Sequence, residues 1–405
     1  MGVLARASLV ALAACSAPKD AFDCTNNASC RNGGVTGTCE STGFCSFPDP
    51  SCPMGSRYGS AAGDLSNQCV GAGSDGGLGD GNDNALPHAL GAWDVTAALA
   101  ATDRRYTFAS AVDGNFIYVI GGIAGSTDHS DVWFATANPA AIVPAAAIST
   151  WTQTTSLPAV RRTFGGAYNA GYLYVFGGRS GNIADTADVL SAPVNPDGTI
   201  GTWSSTTSLP QTIKCEAVAS SGQDVYVVGG KHSGTAGALV LHATMSGGTV
   251  SAWQPAATLD VTVFNGAAVA ANGYLYVIGG CTGGSGASGN GCTQVLDVVE
   301  VAKINSDGTL GNFAHTTVLP TPRWHHTAVA ATGNGDIYVL DGLYGAKFGQ
   351  PSTADVIAAH QHGDGTLGPW QMMNAVPNPN VRAAAYIIGK YLLLLHADSQ
   401  VAQIQ

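Results

Sequence analysis

The chain has 405 residues, a formal net charge of −11 and only 11% charged residues, against about a quarter in an ordinary soluble domain. An acidic, charge-poor chain of this kind sets aside nucleic acid as a partner, because it has no basic surplus to neutralise phosphates. Alanine is abundant, but its runs are short and broken by the 54 glycines, and no stretch keeps an i, i+3, i+4 apolar period, so a helical fold is set aside as well.

Residues 1–14 combine one basic residue, Arg6, with an apolar run of Ala, Leu and Val and small residues ahead of Cys15. This is an export-signal pattern, too short to span a bilayer. The segment LAAC at 12–15 resembles a bacterial lipobox. The resemblance implies cleavage before Cys15, lipid attachment at Cys15 and anchoring to a membrane through several acyl chains. Ser16 after the cysteine is the pattern of proteins sorted to the outer membrane or cell surface. The other reading is an ordinary secretory signal with a chance cysteine.

Residues 15–70 carry Cys24, Cys30, Cys39, Cys45, Cys52 and Cys69 among Gly, Ser, Asn and Pro. So small a segment cannot form an apolar core alone, and three disulfides in an oxidising compartment account for it. Fifteen pairings are open. Zinc binding is the weaker reading, since the segment has no histidine and no Cys-x2-Cys pair. Residues 71–85, GAGSDGGLGDGNDNA, have almost nothing to bury and read as a flexible linker. Their Asx-rich spacing fits no complete EF-hand loop.

From residue 86 to 405 one pattern recurs: FIYVIGG at 116–122, YLYVFGG at 172–178, DVYVVGG at 224–230, YLYVIGG at 274–280 and DIYVLDG at 336–342. Trp93, Trp151, Trp203, Trp253, Phe313 and Trp370 recur in step with it. The turns NPDGTIG, NSDGTLG and HGDGTLG precede three of these aromatics, and Asp-Gly suits a hairpin because Gly accepts positive φ. Within each unit, four extended runs separated by Gly, Asn, Asp or Pro turns predict a four-stranded antiparallel meander. A fixed period of this size marks a repeat architecture.

Together these motifs resemble kelch repeats over roughly residues 86–405. The resemblance implies an all-β fold, a kelch-type β-propeller with one blade per repeat around a central channel. The last unit, after Trp370, has room for three strands only, with His396 and Ala397 where the glycine pair belongs. The segment LGAWDV around Trp93 lacks upstream strands of its own and can supply the missing fourth, which gives six blades and a ring closed between the two ends of the chain. Closure removes a bare sheet edge. Cys281 and Cys292 flank a glycine-rich loop and can close it as a disulfide, leaving Cys215 as a buried thiol on an inner strand.

Basic or imidazole groups precede most inner strands: Arg104 and Arg105, Arg161 and Arg162, Lys214, Arg323 with His325 and His326, and Arg382. Converging at one channel mouth, Arg105, Arg162, Lys214, Arg323, His325, His326 and Arg382 would attract an anionic ligand, with Glu216 as their acidic companion. The competing reading makes the arginines structural, bonded to backbone carbonyls or neighbouring blades. The expected role is a binding module for a protein or glycan, with no cofactor and no metal. The alternative is a carbohydrate-active enzyme. A sialic-acid mutarotase-like site would use the basic groups with Glu216, and a galactose-oxidase-like site would draw on His325, His326, Tyr344 and Cys215. His360 and His362 form a further pair, read as part of a turn.

Overall fold

The computed structural model of the protein describes residues 29–32, 35–39, 45–48, 56–59, 85–97, 99, 105–181, 184–283, 292–345, 352–379, 381, 383–395 and 399–405. Cys15, Cys24, Cys52, Cys69, Arg382, the His396–Ala397 pair and nearly all of the 71–85 segment lie outside these residues. The chain divides into two compact units, Met1–Asp80 and Gly81–Gln405. In the first, short strands Arg31–Asn32 and Val35–Thr36 pair, and Thr38–Cys39, Cys45–Pro48 and Ser56–Tyr58 form a second small sheet. Cys30 and Cys45 are joined by a disulfide, with Cys39 and Phe47 packed against them, and Cys39 is itself disulfide-bonded. The covalent link thus stands at the centre of what little core there is.

The second unit is all-β and antiparallel, with no α-helix among the described residues. Among the described residues six sheets of four or more strands follow one another along the chain, with a two-stranded ribbon of Arg179–Ser180 and Ala184–Asp185 beside the second. The innermost strands of the six are Ala109–Val112, Gly165–Asn169, Ala217–Ser221, Ala267–Ala271, Thr327–Ala331 and Ala384–Ile388, the first five paired outward with the strand that carries the Tyr-Val motif and the sixth with its counterpart, Tyr391–Leu395. The motif strand is the most buried of each sheet because both of its faces are covered: Tyr174, Val175 and Phe176 are fully buried, and so are Ile337, Tyr338, Val339 and Leu340. Continuous β-branched and aromatic sequence is what a strand covered on both faces requires.

The sheets are linked side to side by a recurring latch. The buried motif tyrosine reaches a turn or loop of the next sheet: the Tyr118 hydroxyl donates to the Gly198 carbonyl at 3.0 Å, Tyr226 to Gly308 at 2.8 Å and Tyr276 to Gly365 at 2.7 Å. The Gly248 N–H donates to the Tyr174 hydroxyl at 3.0 Å. Tyr338 donates to His88 in the segment ahead of Trp93; in the last sheet the motif position is Leu393, and Tyr391, two residues earlier, returns to Ala141 of the first. The Asp-Gly turns are built for this reception. Asp197 accepts from the backbone and hydroxyl of Thr199, while Gly198 adopts φ +86, and a Cβ there would lie 2.6 Å from Phe134.

The N-terminal strand Leu90–Val95 pairs with Gln400–Ile404 and becomes the outer strand of the last sheet. Tyr386 of that sheet donates to the Ser110 hydroxyl of the first at 2.7 Å, so the innermost strands meet around a full circuit. The glycine pair tolerates one departure. Asp341 takes the first position at φ +60, close to the +57 of Gly121, whereas the second position is always Gly in the described copies. A Cβ at Gly178 would lie 2.5 Å from Phe164, and one at Gly342 would lie 2.8 Å from His326. Cys281 and Cys292 form the loop disulfide, and Cys215 is buried and takes part in no disulfide.

Candidate functional site

The innermost strands surround a cavity of about 420 Å³, lined mainly by Gly, Ala, Ser and Val, with Glu216, His326, Tyr168 and Tyr386 as its larger polar groups. That volume lies within the range of small-molecule sites. Small side chains are needed here because six strands converge on one axis; a Cβ at Gly165 would lie 2.0 Å from Val218. A recess of about 130 Å³ adjoins the cavity and shares Phe108, Phe164, Glu216, Gly266, His326 and Ala383 with it.

The recess is framed by a backbone belt. Thr107, Thr163, Cys215, Asn265 and His325 all line it, and all five adopt left-handed φ between +50 and +58. Such backbone is uncommon outside glycine, and for a β-branched residue such as threonine it is an outlier. Consecutive members are joined around the ring: the Thr163 N–H donates to Thr107 O, Cys215 to Thr163, Asn265 to Cys215 and His325 to Asn265, at 2.8 to 3.1 Å. The belt's hydrogen bonds offset strain on the order of 1–3 kcal/mol per residue.

Several polar atoms facing this recess have no good protein partner. Thr107 Oγ1, Glu216 Oε2 and Asn265 Nδ2 are buried without a hydrogen bond, and neither ring nitrogen of His326 makes one of good geometry. Buried polar groups are ordinarily paired, and an orphan costs about 1–3 kcal/mol. The other carboxylate oxygen of Glu216 accepts from the Gly165 N–H at 3.1 Å. Burial pushes the Glu216 carboxyl up to about 8, with Asp185 adding to the rise and two backbone N–H groups and Arg161 opposing it. Although Glu216 borders the open channel, its Oε2 has no contact with solvent, and that burial sets its protonation. Burial, and then the charge of Arg323, push His326 down to about 3. At neutral pH the recess therefore presents a largely protonated carboxyl, a neutral imidazole, an amide and a hydroxyl. It offers uncharged donors and acceptors.

Of the residues singled out by sequence, the structure brings Cys215, Glu216, His325 and His326 together at this recess. Arg105, Arg162, Lys214 and Arg323 line neither cavity. Arg105 is 2% exposed, pairs with Asp131 at 2.8 Å and donates to the Gly121 carbonyl. Arg323, fully buried, repeats the arrangement with Asp355 and the Asp341 carbonyl, and Arg161 does so with Asp188 and the Gly177 carbonyl. Against the cost of burial, the hydrogen bonds from Arg105 and Arg323 hold Asp131 and Asp355 below the usual carboxylate range. Arg162 pairs with Asp128 at 3.0 Å, and Lys214 with Asp185 at 2.9 Å. Arg105, Arg161 and Arg323 brace the glycine-pair turns, and among the described residues the paired arginines and Lys214 line neither cavity.

The copper-oxidase set also separates. Cys215, His325 and His326 share the recess, but Tyr344 is 49% exposed and no tyrosine lines the recess. His360 pairs with the buried Asp336 and His362 with Thr366, so those two imidazoles point to different partners. Sequence reading missed Thr107, Thr163 and Asn265. They share a backbone conformation and no residue type; the one visible signal was their constant place two residues after Arg105, Arg161 and Val263.

No protein-family model matches the chain, and no curated protein matches it. A solved structure titled "Structure of YjhT" is similar, with a TM-score of 0.56 and 14% identity, over 76% of this chain and 95% of its own. At that identity the likeness speaks for the fold, and it agrees with the propeller-like arrangement of the sheets.

Proposed function

We propose that the chain is an exported, lipid-anchored binding protein whose second unit is a six-bladed kelch-type propeller, closed by its N-terminal strand, that holds a glycan end group in the channel. The motif copies, the six sheets and the pairing of Leu90–Val95 with Gln400–Ile404 support the propeller reading. The LAAC segment ending at Cys15 supports the anchor. One observation carries the ligand class: the orphaned polar atoms of Thr107, Glu216, Asn265 and His326 line a single recess. Sugar hydroxyls both donate and accept, so a neutral sugar can satisfy this set without bringing in charge.

Calorimetry of the purified chain against neutral and sialylated monosaccharides tests the reading. Neutral sugars are expected to bind, and His326→Ala and Asn265→Ala to weaken binding at least about tenfold, the worth of one hydrogen bond. Preference for the sialylated sugar, or equal binding by wild type and His326→Ala, would overturn it. A second reading, a carbohydrate-active enzyme, rests on Glu216, whose carboxyl titrates near neutrality at the edge of a sugar-sized cavity. It predicts accelerated interconversion of sugar anomers by NMR exchange, lost in Glu216→Gln.

A further inference from the structure

The third and fourth sheets meet differently from the others. Elsewhere the recurring tryptophan donates its indole N–H to a carbonyl of the preceding sheet: Trp203 to Thr155 at 3.2 Å, Trp253 to Thr207 at 3.1 Å and Trp370 to Thr317 at 3.0 Å. Between the third and fourth sheets the position belongs to Phe313, which has no N–H to give. The same junction carries a second departure. Glu300 pairs across the strands with Val277, and the residues at that register are Trp133, Leu190, Leu241 and Ile357 in four other sheets and the uncharged Gln400 in the last. An acidic side chain only 2% exposed thus stands at a register where none of the other five sheets carries an acidic residue.

Glu300 reaches across the junction and accepts from the backbone N–H groups of Asp260 at 3.0 Å and Val261 at 3.4 Å. His315, its cross-strand partner in the fourth sheet, lies 3.3 Å from Asp260 of the third. One donor atom from each of Asp260, Glu300 and His315 falls within 4.8 Å of the other two. Among the described residues no Lys or Arg pairs with Glu300; the charges that act on it are those of Asp260 and His315. A buried carboxylate that stays ionised needs a compensating charge, and one imidazole facing two carboxylates supplies at most part of it.

We propose that Asp260, Glu300 and His315 bind a zinc-type divalent cation that ties the third sheet to the fourth. An imidazole with two carboxylates suits zinc and its transition-metal neighbours, whereas calcium and magnesium take all-oxygen sets. Glu300 is held by backbone and fixes one ligand. Asp260 and His315 are exposed, so their side chains can turn onto an ion about 2 Å from each donor. The cation takes over the linking role that an indole N–H plays at the other junctions.

Zinc titration of the chelator-stripped full chain, read by calorimetry and by thermal unfolding, tests this. Wild type should bind one equivalent sensitive to these residues, and saturating zinc should raise its unfolding temperature by roughly 5 °C. Asp260→Asn and His315→Ala alter exposed side chains and are expected to stay folded while losing on the order of 100-fold in zinc affinity. Glu300→Leu carries the residue of the second and third sheets at that register; it should fold and lose the zinc shift. A wild-type unfolding temperature indifferent to zinc, or a shift that survives all three substitutions, would overturn the proposal. Glycan binding is read separately, since the recess shares no residue with this cluster.

Discussion

Two polar regions of the second unit obey opposite rules. In the sheets, Arg105, Arg161 and Arg323 are buried, ion-paired and bonded to a glycine-pair carbonyl or its Asp341 counterpart. At the channel, Thr107, Glu216, Asn265 and His326 hold buried polar atoms that the protein leaves unpartnered. A charged side chain that is already paired is part of the scaffold, while an orphaned polar atom beside a cavity is available to a ligand. The third and fourth sheets sharpen the point: two residues ahead of the belt they carry Ile213 and Val263 in place of arginine. Ile213 packs in one apolar cluster with Leu239, which takes the place of the aspartate. The same backbone is thus supported by an ion pair or by apolar contact.

The largest effect is expected from breaking the first region. Arg323→Ala leaves Asp355 without its partner and should cost about 3–5 kcal/mol in urea unfolding. The double variant Arg323→Ile with Asp355→Leu copies the Ile213–Leu239 pair and should recover most of that loss. A double variant as unstable as the single one would mean that the charge itself is needed at this position.

The second region should show itself in pH dependence. The folded chain keeps a proton on Glu216 that the unfolded chain releases, so this group lowers stability as pH rises from about 4.5 to about 8. His326 acts at the other end: the unfolded chain takes up a proton that the folded chain refuses, and stability falls as pH drops from about 6.5 towards 3. Glu216→Gln keeps a neutral group of the same shape. It should gain on the order of 2 kcal/mol over wild type at pH 8.5 and little at pH 5. Sugar binding, measured in parallel, should fall above pH 8 in wild type and stay level in the variant. A pH-independent difference between the two proteins would remove Glu216 from the recess chemistry.

Most of the fold could be read from the chain. The Tyr-Val-hydrophobic-Gly-Gly copies marked the buried strands, and the unattached Trp93 pointed to the strand that completes the last sheet. The candidate site was legible only at Cys215, Glu216, His325 and His326. Arg105, Arg162, Lys214 and Arg323 looked like a cationic ring because sequence shows which strand a residue precedes and not the aspartate it meets 26 to 34 residues away in the chain. The belt was hidden for a different reason. Thr107, Thr163, Cys215, Asn265 and His325 share a φ value, and nothing in their side chains announces left-handed backbone.

The smallest effects concern the two sets of latches. The Tyr276 hydroxyl and the Gly365 carbonyl meet in a buried setting, whereas the Trp370 indole reaches Thr317 at a partly buried one. Removing a donor costs most where the acceptor it leaves behind cannot turn to water. Tyr276→Phe should therefore lose about 1–3 kcal/mol, and Trp370→Phe about 1 kcal/mol or less, read as midpoint shifts in the same urea titration. Phe313 shows that the chain already accepts phenylalanine at one of the tryptophan positions, while the motif tyrosine is kept in five sheets and is Leu393 in the sixth. If Trp370→Phe proved the costlier change, the outer indoles would be the main link between sheets, and the tyrosine repeat would need another explanation.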